Sequence, residues 1–213
     1  MWRAAGQEAY TVRHVDTMKP FDVVVLAGGG GRRLGGVDKA SVAVGDLTML
    51  DRVLSCCAGA REVVVVGPER PTPNPVRWTM ETPPGSGPVA GIAAGMAALT
   101  PPKAPTVGVL ATDLPYLTSA AVHALVRQRT GDGVMYEDAD GQPQPLCAAY
   151  EGIALATALR QLPFRDGASV RSMLAGLNVR TITDDDGVSR DVDTPTDLGA
   201  AQVALDDPEA NHS

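Results

Sequence analysis

Short runs of consecutive apolar residues recur along the chain, and segments with helical spacing separate them. Three runs, at 21–27, 61–67 and 106–112, are apolar at nearly every position, which predicts strands buried on both faces of a parallel sheet. The helical patterns, each long enough for a crossover helix, lie at 48–60, 87–100 and 118–130. This order predicts a doubly wound α/β fold with a mostly parallel sheet, helices on both faces and a ligand site beyond the carboxyl ends of the strands.

The second half of the chain continues the alternation with shorter segments. Its candidate strands are 133–137, 145–150 and 178–183. Its candidate helices are 151–161, 169–176 and 195–204. We therefore predict one globular domain over residues 21–205, with an N-terminal tail at 1–20 and an acidic C-terminal tail at 206–213.

Composition narrows the range of partners. The chain has 18 Lys and Arg against 25 Asp and Glu, a net charge of −7, so it lacks the global positive field that non-specific nucleic-acid binding needs. No segment approaches the ~18 apolar residues of a membrane span, and the N-terminus has no continuous apolar signal region. We expect a cytoplasmic protein that binds neither nucleic acid nor membrane. The three cysteines, Cys56, Cys57 and Cys147, have no CxxC spacing, which favours reduced thiols over disulfides or a zinc site.

A run of four glycines at 28–31 directly follows the first predicted strand. Glycine has no Cβ, so such a run lets backbone N–H groups approach a phosphate chain closely. Arg32, Arg33 and Lys39 then supply cationic donors. A flexible turn with solvated arginines is the alternative, but the position after a strand favours an anionic ligand. The spacing fits neither a Walker loop, because Ala40 follows Lys39, nor a G-x-G-x-x-G dinucleotide loop.

The segment LAGGGGRRLGGVDK at 26–39 resembles the glycine-rich fingerprint of the molybdenum cofactor guanylyltransferase family, the MobA-like nucleotidyltransferases. Four further segments resemble that family in the same order. They are GSGPVAG at 85–91, TDLP at 112–115, QPLCAAY at 144–150 and DVDTPTDL at 191–198. The resemblance covers about residues 21–200. It implies a Rossmann-like nucleotidyltransferase fold that binds a nucleoside triphosphate and Mg²⁺.

The resemblance also implies roles for individual residues. The implied nucleotide-binding residues are Leu26, Ala27, Gly28, Gly29, Arg33, Lys39, Glu81, Thr82, Gly87 and Pro88. Arg33, Lys39 and Asp113 are the implied catalytic residues, with Arg32 as the alternative to Arg33, and Gln144 is the implied substrate-binding residue. Gly87 and Pro88 also open a predicted helix, whose N-terminus favours an anion; a packing turn is the other interpretation of that segment.

Asp113 and Asp193 are the implied metal ligands. Asp113 comes just after an apolar run, where a carboxylate at the end of a strand faces the ligand crevice, and Mg²⁺ prefers carboxylate oxygens. A turn aspartate before Pro115 is the alternative. Asp193 either ligates the ion or, with Thr194, caps the helix that begins near Pro195.

The family resemblance implies transfer of GMP from GTP to the phosphate of molybdenum-bound molybdopterin, with release of pyrophosphate. Mg²⁺ is the implied cofactor, and the implied partners are GTP or another nucleoside triphosphate, a molybdopterin-type phosphorylated substrate and, transiently, molybdoenzyme maturation proteins. Two alternatives stay open. One is a related cytidylyltransferase or a nucleotidyltransferase acting on another phosphorylated metabolite. The other is a non-catalytic nucleotide-binding module.

Overall fold

The computed structural model describes residues 18–28 and 38–206. Its strands are β1 (Phe21–Leu26), β2 (Ala43–Val44), β3 (Leu47–Thr48), β4 (Glu62–Val66), β5 (Arg77–Thr79), β6 (Thr106–Ala111), β7 (Gly133–Glu137), β8 (Pro143–Glu151) and β9 (Val179–Thr183). Its helices are α1 (Met49–Cys56), α2 (Pro88–Ala98), α3 (Ser119–Gln128), α4 (Gly152–Gln161), α5 (Val170–Leu174) and α6 (Pro195–Asp206).

Seven of the strands form one sheet in the order β5-β4-β1-β6-β8-β7-β9. All neighbouring pairs are parallel except those made by β8, which runs antiparallel to both β6 and β7. The short strands β2 and β3 form a separate antiparallel hairpin. The hairpin and β5, each with strands of two or three residues, are too short for a periodicity to reveal them, and the sequence analysis did not predict them.

Helices cover both faces of this sheet. On one face, alternate residues of β1 such as Val23 and Val25 pack with α1 and α3. On the other face, Val24 packs with residues of α2, α4 and α5. The three valines are fully buried, which explains why the strand is apolar at consecutive positions. The predicted doubly wound α/β fold with a mostly parallel sheet is confirmed.

Helix α2 lies unusually close to the sheet because of Gly95. A Cβ at this position would lie 2.3 Å from Cγ1 of Val24, closer than two carbon atoms can approach. Glycine therefore sets the distance between α2 and β1, and through it the position of the helix N-terminus at Gly87 and Pro88.

The cysteines are free and buried. Burial raises the pKa of the Cys57 thiol to about 12, and it also raises the pKa of Cys56 and Cys147. Buried thiols of this kind act as small apolar side chains, consistent with the predicted reduced state.

Most of the predicted tails, 1–20 and 206–213, fall outside the described residues, so the domain boundaries stay predictions. Within 18–28 and 38–206, no helix has the length and apolar character needed to cross a membrane.

Candidate active site

A cleft of about 610 Å³ opens where β1 and β6 end, at the edge of the sheet where the fold predicts a ligand. It brings together many of the sequence-predicted site residues. Those in its lining are Leu26, Ala27, Gly28, Lys39, Glu81, Gly87, Pro88 and Asp113. The remaining lining residues are Asp38, Ala40, Gly85, Ala111, Thr112 and Leu146.

Other predicted residues lie elsewhere. Gly29 and Arg33 fall outside the described residues, as does Arg32. Thr82 lines a neighbouring groove that it shares with Glu81. The Gln144 side chain does not line the cleft: its amide donates a hydrogen bond to Oδ2 of Asp138 at 2.8 Å, and Leu146, two residues further along β8, lines the cleft instead.

The backbone of β1 continues into the cleft along its neighbour β4. Ala27 N donates to Val66 O at 2.8 Å, which keeps the chain extended beyond the end of β1. Gly67 follows Val66 with φ +151°, and a Cβ there would lie 2.9 Å from the carbonyl of Ala27. Only glycine permits this close approach. The start of the glycine-rich segment is therefore held by main-chain contacts.

The cleft also contains a buried carboxylate near the N-terminus of α2. Glu81 is 8% exposed, and its Oε1 accepts a hydrogen bond from Gly85 N at 2.9 Å. Gly87 precedes α2 with φ +89°. Glu81 is thus fixed beside the turn that leads into the helix, at the end of the cleft away from Asp113.

Lys39 enters the cleft from a short 3-10 turn, Lys39–Ser41. Asp38 caps this turn by accepting a hydrogen bond from Ala40 N at 3.2 Å. Arg70, from the loop between β4 and β5, donates to both Asp38 Oδ2 and Ser41 Oγ. The guanidinium thereby ties the turn that carries Lys39 to the far side of the cleft mouth.

The Lys39 ammonium lies between two carboxylates. Its Nζ is 2.6 Å from Oδ1 of Asp193 and 3.3 Å from Oδ2 of Asp113. Partial burial opposes protonation of Lys39, but the hydrogen bonds and charges of Asp193 and Asp113 outweigh it and raise the pKa of the lysine. Lys39 is therefore a fixed cation in this arrangement.

Asp191 adds a third carboxylate, which the sequence analysis did not assign. One oxygen of each of Asp113, Asp191 and Asp193 lies within 4.8 Å of the others. Burial raises the pKa of Asp191, and the negative charges of Asp113 and Asp193 raise it further. A cluster that resists ionisation in this way is stabilised by an added cation. Because Mg²⁺ prefers carboxylate oxygens together with substrate phosphates, the donor set fits the predicted ion.

Helix capping leaves Asp193 available to Lys39. Thr194 Oγ1 accepts a hydrogen bond from Asp197 N at 3.2 Å, and Asp197 Oδ2 accepts one from Thr194 N at 2.8 Å. This reciprocal pair closes the start of α6. Thr194, and not the side chain of Asp193, thus takes the capping role that the sequence left open between them.

A buried aspartate shapes the segment that carries Asp191 and Asp193. Asp184 accepts hydrogen bonds from Val188 N at 2.8 Å, from Ser189 N at 2.7 Å and from Ser189 Oγ at 2.6 Å. Further along, Val192 N donates to Asp113 O at 3.0 Å. These contacts turn the irregular chain after β9 back toward the end of β6, where the carboxylates meet.

Comparison with known proteins agrees with this geometry. Residues 23–185 match the MobA-like NTP transferase domain family, a span that exceeds half of the 213-residue chain. The chain belongs to this family. The predicted recognition is confirmed, and the cleft is the site of a nucleotidyltransferase fold.

Three proteins illustrate the relationship. A relative from Opitutus terrae named "Probable molybdenum cofactor guanylyltransferase" is 37% identical over 158 residues, 72% of this chain and 77% of the relative. The molybdenum cofactor guanylyltransferase of Acidiphilium cryptum is 30% identical over 193 residues, 84% of this chain and 93% of the relative. The solved structure of molybdopterin-guanine dinucleotide biosynthesis protein A from Archaeoglobus fulgidus has a TM-score of 0.67 at 23% identity, covering 85% of this chain and 97% of that chain.

Sequence reasoning missed Asp191, Asp184 and Arg70. The DVD spacing offered a signal for Asp191, since residues two apart in an extended chain point to the same side. Asp184 offered none, because it is the first of three consecutive aspartates and only the fold buries it. Arg70 belongs to a proline-rich loop whose path is set by the fold.

Proposed function

We propose that this chain transfers GMP from GTP to the phosphate of molybdenum-bound molybdopterin. In the reaction an oxygen of the acceptor phosphate attacks the α-phosphorus of GTP. A new phosphorus–oxygen bond forms as the bond to the β-phosphate breaks, and pyrophosphate leaves. An acceptor phosphate is already ionised near neutral pH, so the site needs positioning and charge stabilisation more than a strong general base.

The observation that carries the proposal is the meeting of Lys39 with three carboxylates at the end of β6, beside a cleft lined by the backbone of residues 26–28. A triphosphate laid along this backbone would bring its phosphates to the ammonium. The names of the two curated relatives support GTP and the molybdenum cofactor as substrates.

Each residue has a part in this proposal. Leu26, Ala27 and Gly28 line the nucleoside end with main chain, and Glu81 would read the edge of the base. Lys39 would neutralise phosphate charge as it builds up on the leaving pyrophosphate. From the resemblance, Arg33 would contact the triphosphate.

Asp113 and Asp193 would hold Mg²⁺, and Asp191 would complete the carboxylate set. The bound ion would screen the negative charge that develops between the reacting phosphates. In the described part of the cleft lining, the side chains of Asp38, Glu81 and Asp113 oppose the single ammonium of Lys39. A divalent cation would therefore reconcile this acidic lining with an anionic ligand.

The decisive experiment supplies GTP labelled at the α-phosphate together with reduced molybdenum-bound molybdopterin and Mg²⁺. The proposal expects a labelled dinucleotide and one pyrophosphate per transfer. Labelled CTP, run in parallel, tests the cytidylyltransferase alternative: product from CTP and none from GTP would overturn the guanylyl assignment. Tight nucleotide binding without pyrophosphate release would instead support the non-catalytic binding module.

A further inference from the structure

The ammonium of Lys39 occupies the position between carboxylates that a cation would take. It hydrogen-bonds Asp193 at 2.6 Å and Asp113 at 3.3 Å, and its side chain is only 16% exposed. The same two carboxylates belong to the three whose oxygens lie within 4.8 Å of one another. Lys39 and a divalent cation therefore compete for the same oxygens.

We propose that Lys39 makes this carboxylate site selective for a divalent cation that arrives together with a triphosphate, over the free cation. This inference rests on the proposed function, because it assumes that the cleft binds a metal–nucleotide complex. It adds a second role to Lys39. Before substrate binds, the lysine is the internal counter-ion of the carboxylates.

The selectivity follows from charge balance. A free cation entering the carboxylate cluster must displace the ammonium, which then loses two charged hydrogen bonds while remaining partly buried. A cation that brings a triphosphate also supplies anionic oxygens to receive that ammonium. The cost of breaking the ion pairs is thus offset only when both components bind.

Thermodynamic linkage turns this exchange into a measurable coupling. If the triphosphate removes Lys39 from the carboxylates, it must raise the affinity of the site for the cation, and the cation must raise the affinity for the triphosphate by the same factor. Replacing the ammonium by an uncharged side chain of similar length should therefore strengthen binding of the free cation and weaken the coupling.

The test measures Mn²⁺ binding by electron paramagnetic resonance, with Mn²⁺ replacing Mg²⁺, on the full chain with and without a non-hydrolysable GTP analogue. The variant is Lys39→Met. The matched control is Lys103→Met, which makes the same charge change at an exposed lysine bonded to Met96 O, outside the cleft lining. Thermal unfolding of each variant establishes that it is folded.

We expect Lys39→Met to bind free Mn²⁺ about tenfold more tightly than the original chain, a coupling of ordinary size, and to lose most of the tightening caused by the nucleotide. Lys103→Met should match the original chain in both measurements. Free Mn²⁺ affinity that is unchanged or weaker in folded Lys39→Met overturns the inference. If the original chain fails to bind Mn²⁺ even with the analogue, the proposed function itself fails, a result distinct from the first.

Discussion

One side of the cleft, at residues 26–28 and 85–88, consists mainly of backbone from elements packed into the core, and we call it the backbone wall. The opposite side, at Asp113 and 184–193, consists of carboxylates on irregular chain, and we call it the acidic wall. Main-chain contacts such as Ala27 N to Val66 O hold the first. Side-chain acceptors such as Asp184 hold the second.

This difference predicts different weaknesses. The backbone wall has few side-chain atoms to lose, so added volume is the change that should damage it. The acidic wall depends on individual polar atoms in partly buried positions, so the loss of one oxygen should be enough to damage it. A polymerase-like division of labour follows within one cleft: shape holds the nucleoside, and charge holds the reacting phosphates.

The largest effect is expected from Asp113→Asn on the acidic wall. The neutral amide cannot pair with Lys39 as a charge or bind a divalent cation strongly, so kcat/KM for pyrophosphate release should fall about a hundredfold or more. Asp140→Asn, at an exposed turn residue outside the cleft lining, is the charge-matched control and should leave the rate unchanged. A rate near that of the original chain in Asp113→Asn would remove this carboxylate from the reaction.

Asp184→Asn tests whether the acidic wall is shaped by its buried acceptor. The amide nitrogen cannot accept the hydrogen bonds that Val188 and Ser189 donate, so the free energy of unfolding should fall by about 1.5–3 kcal/mol. Mn²⁺ affinity in the presence of nucleotide should fall as well, because Asp191 and Asp193 shift. Asp185→Asn changes the exposed neighbour and should do neither. Lower stability with unaltered Mn²⁺ affinity would make Asp184 a purely structural residue.

Gly95→Ala tests the backbone wall by adding volume. The new Cβ would lie 2.3 Å from Val24, and overpacking of about 1–3 kcal/mol should outweigh the gain of about 1 kcal/mol in helix propensity. Gly199→Ala is the matched control, because a Cβ there meets nothing within 4 Å and should stabilise α6. Urea unfolding midpoints measure both. Equal midpoints would mean that α2 relaxes away from the sheet without cost.

The sequence predicted the backbone wall better than the acidic wall, for a physical reason. Consecutive valines in β1 record burial on both faces, and the glycines record close backbone approach, so both signals are local. Each can be read without knowing which other strand lies alongside. The parallel sheet, its helices and the position of the cleft were therefore predictable.

The acidic wall depends on contacts between distant parts of the chain. Lys39 meets Asp193 across 154 positions of sequence, and Asp184 differs from the two aspartates after it only in where the fold places it. Gln144 illustrates the opposite case: its motif suggested substrate binding, whereas its side chain bonds the local turn at Asp138. Local patterns cannot distinguish these outcomes.

The smallest effect concerns a carboxylate far from both walls. Partial burial opposes ionisation of Glu62 on β4, but hydrogen bonds from Thr100 and Arg77 outweigh it and lower the pKa of Glu62. Since the folded pKa is below the unfolded value, the stabilisation is complete above the unfolded value, about 4.3, and is lost as the pH falls through the folded value. Glu62→Gln should therefore reduce stability more at pH ~7 than at pH ~3.

Urea unfolding at the two pH values, with Glu69→Gln at an exposed position as the control, measures this difference. The Mn²⁺ affinity of Glu62→Gln should equal that of the original chain, because Glu62 contacts Thr100 and Arg77 and does not line the cleft. The pair of readouts extends the comparison of the two walls: a hydrogen-bonded carboxylate away from the cleft contributes to stability alone, whereas Asp184 contributes to stability and to the geometry of the cation site. A loss of stability that is the same at both pH values would show that the charge of Glu62 does not contribute.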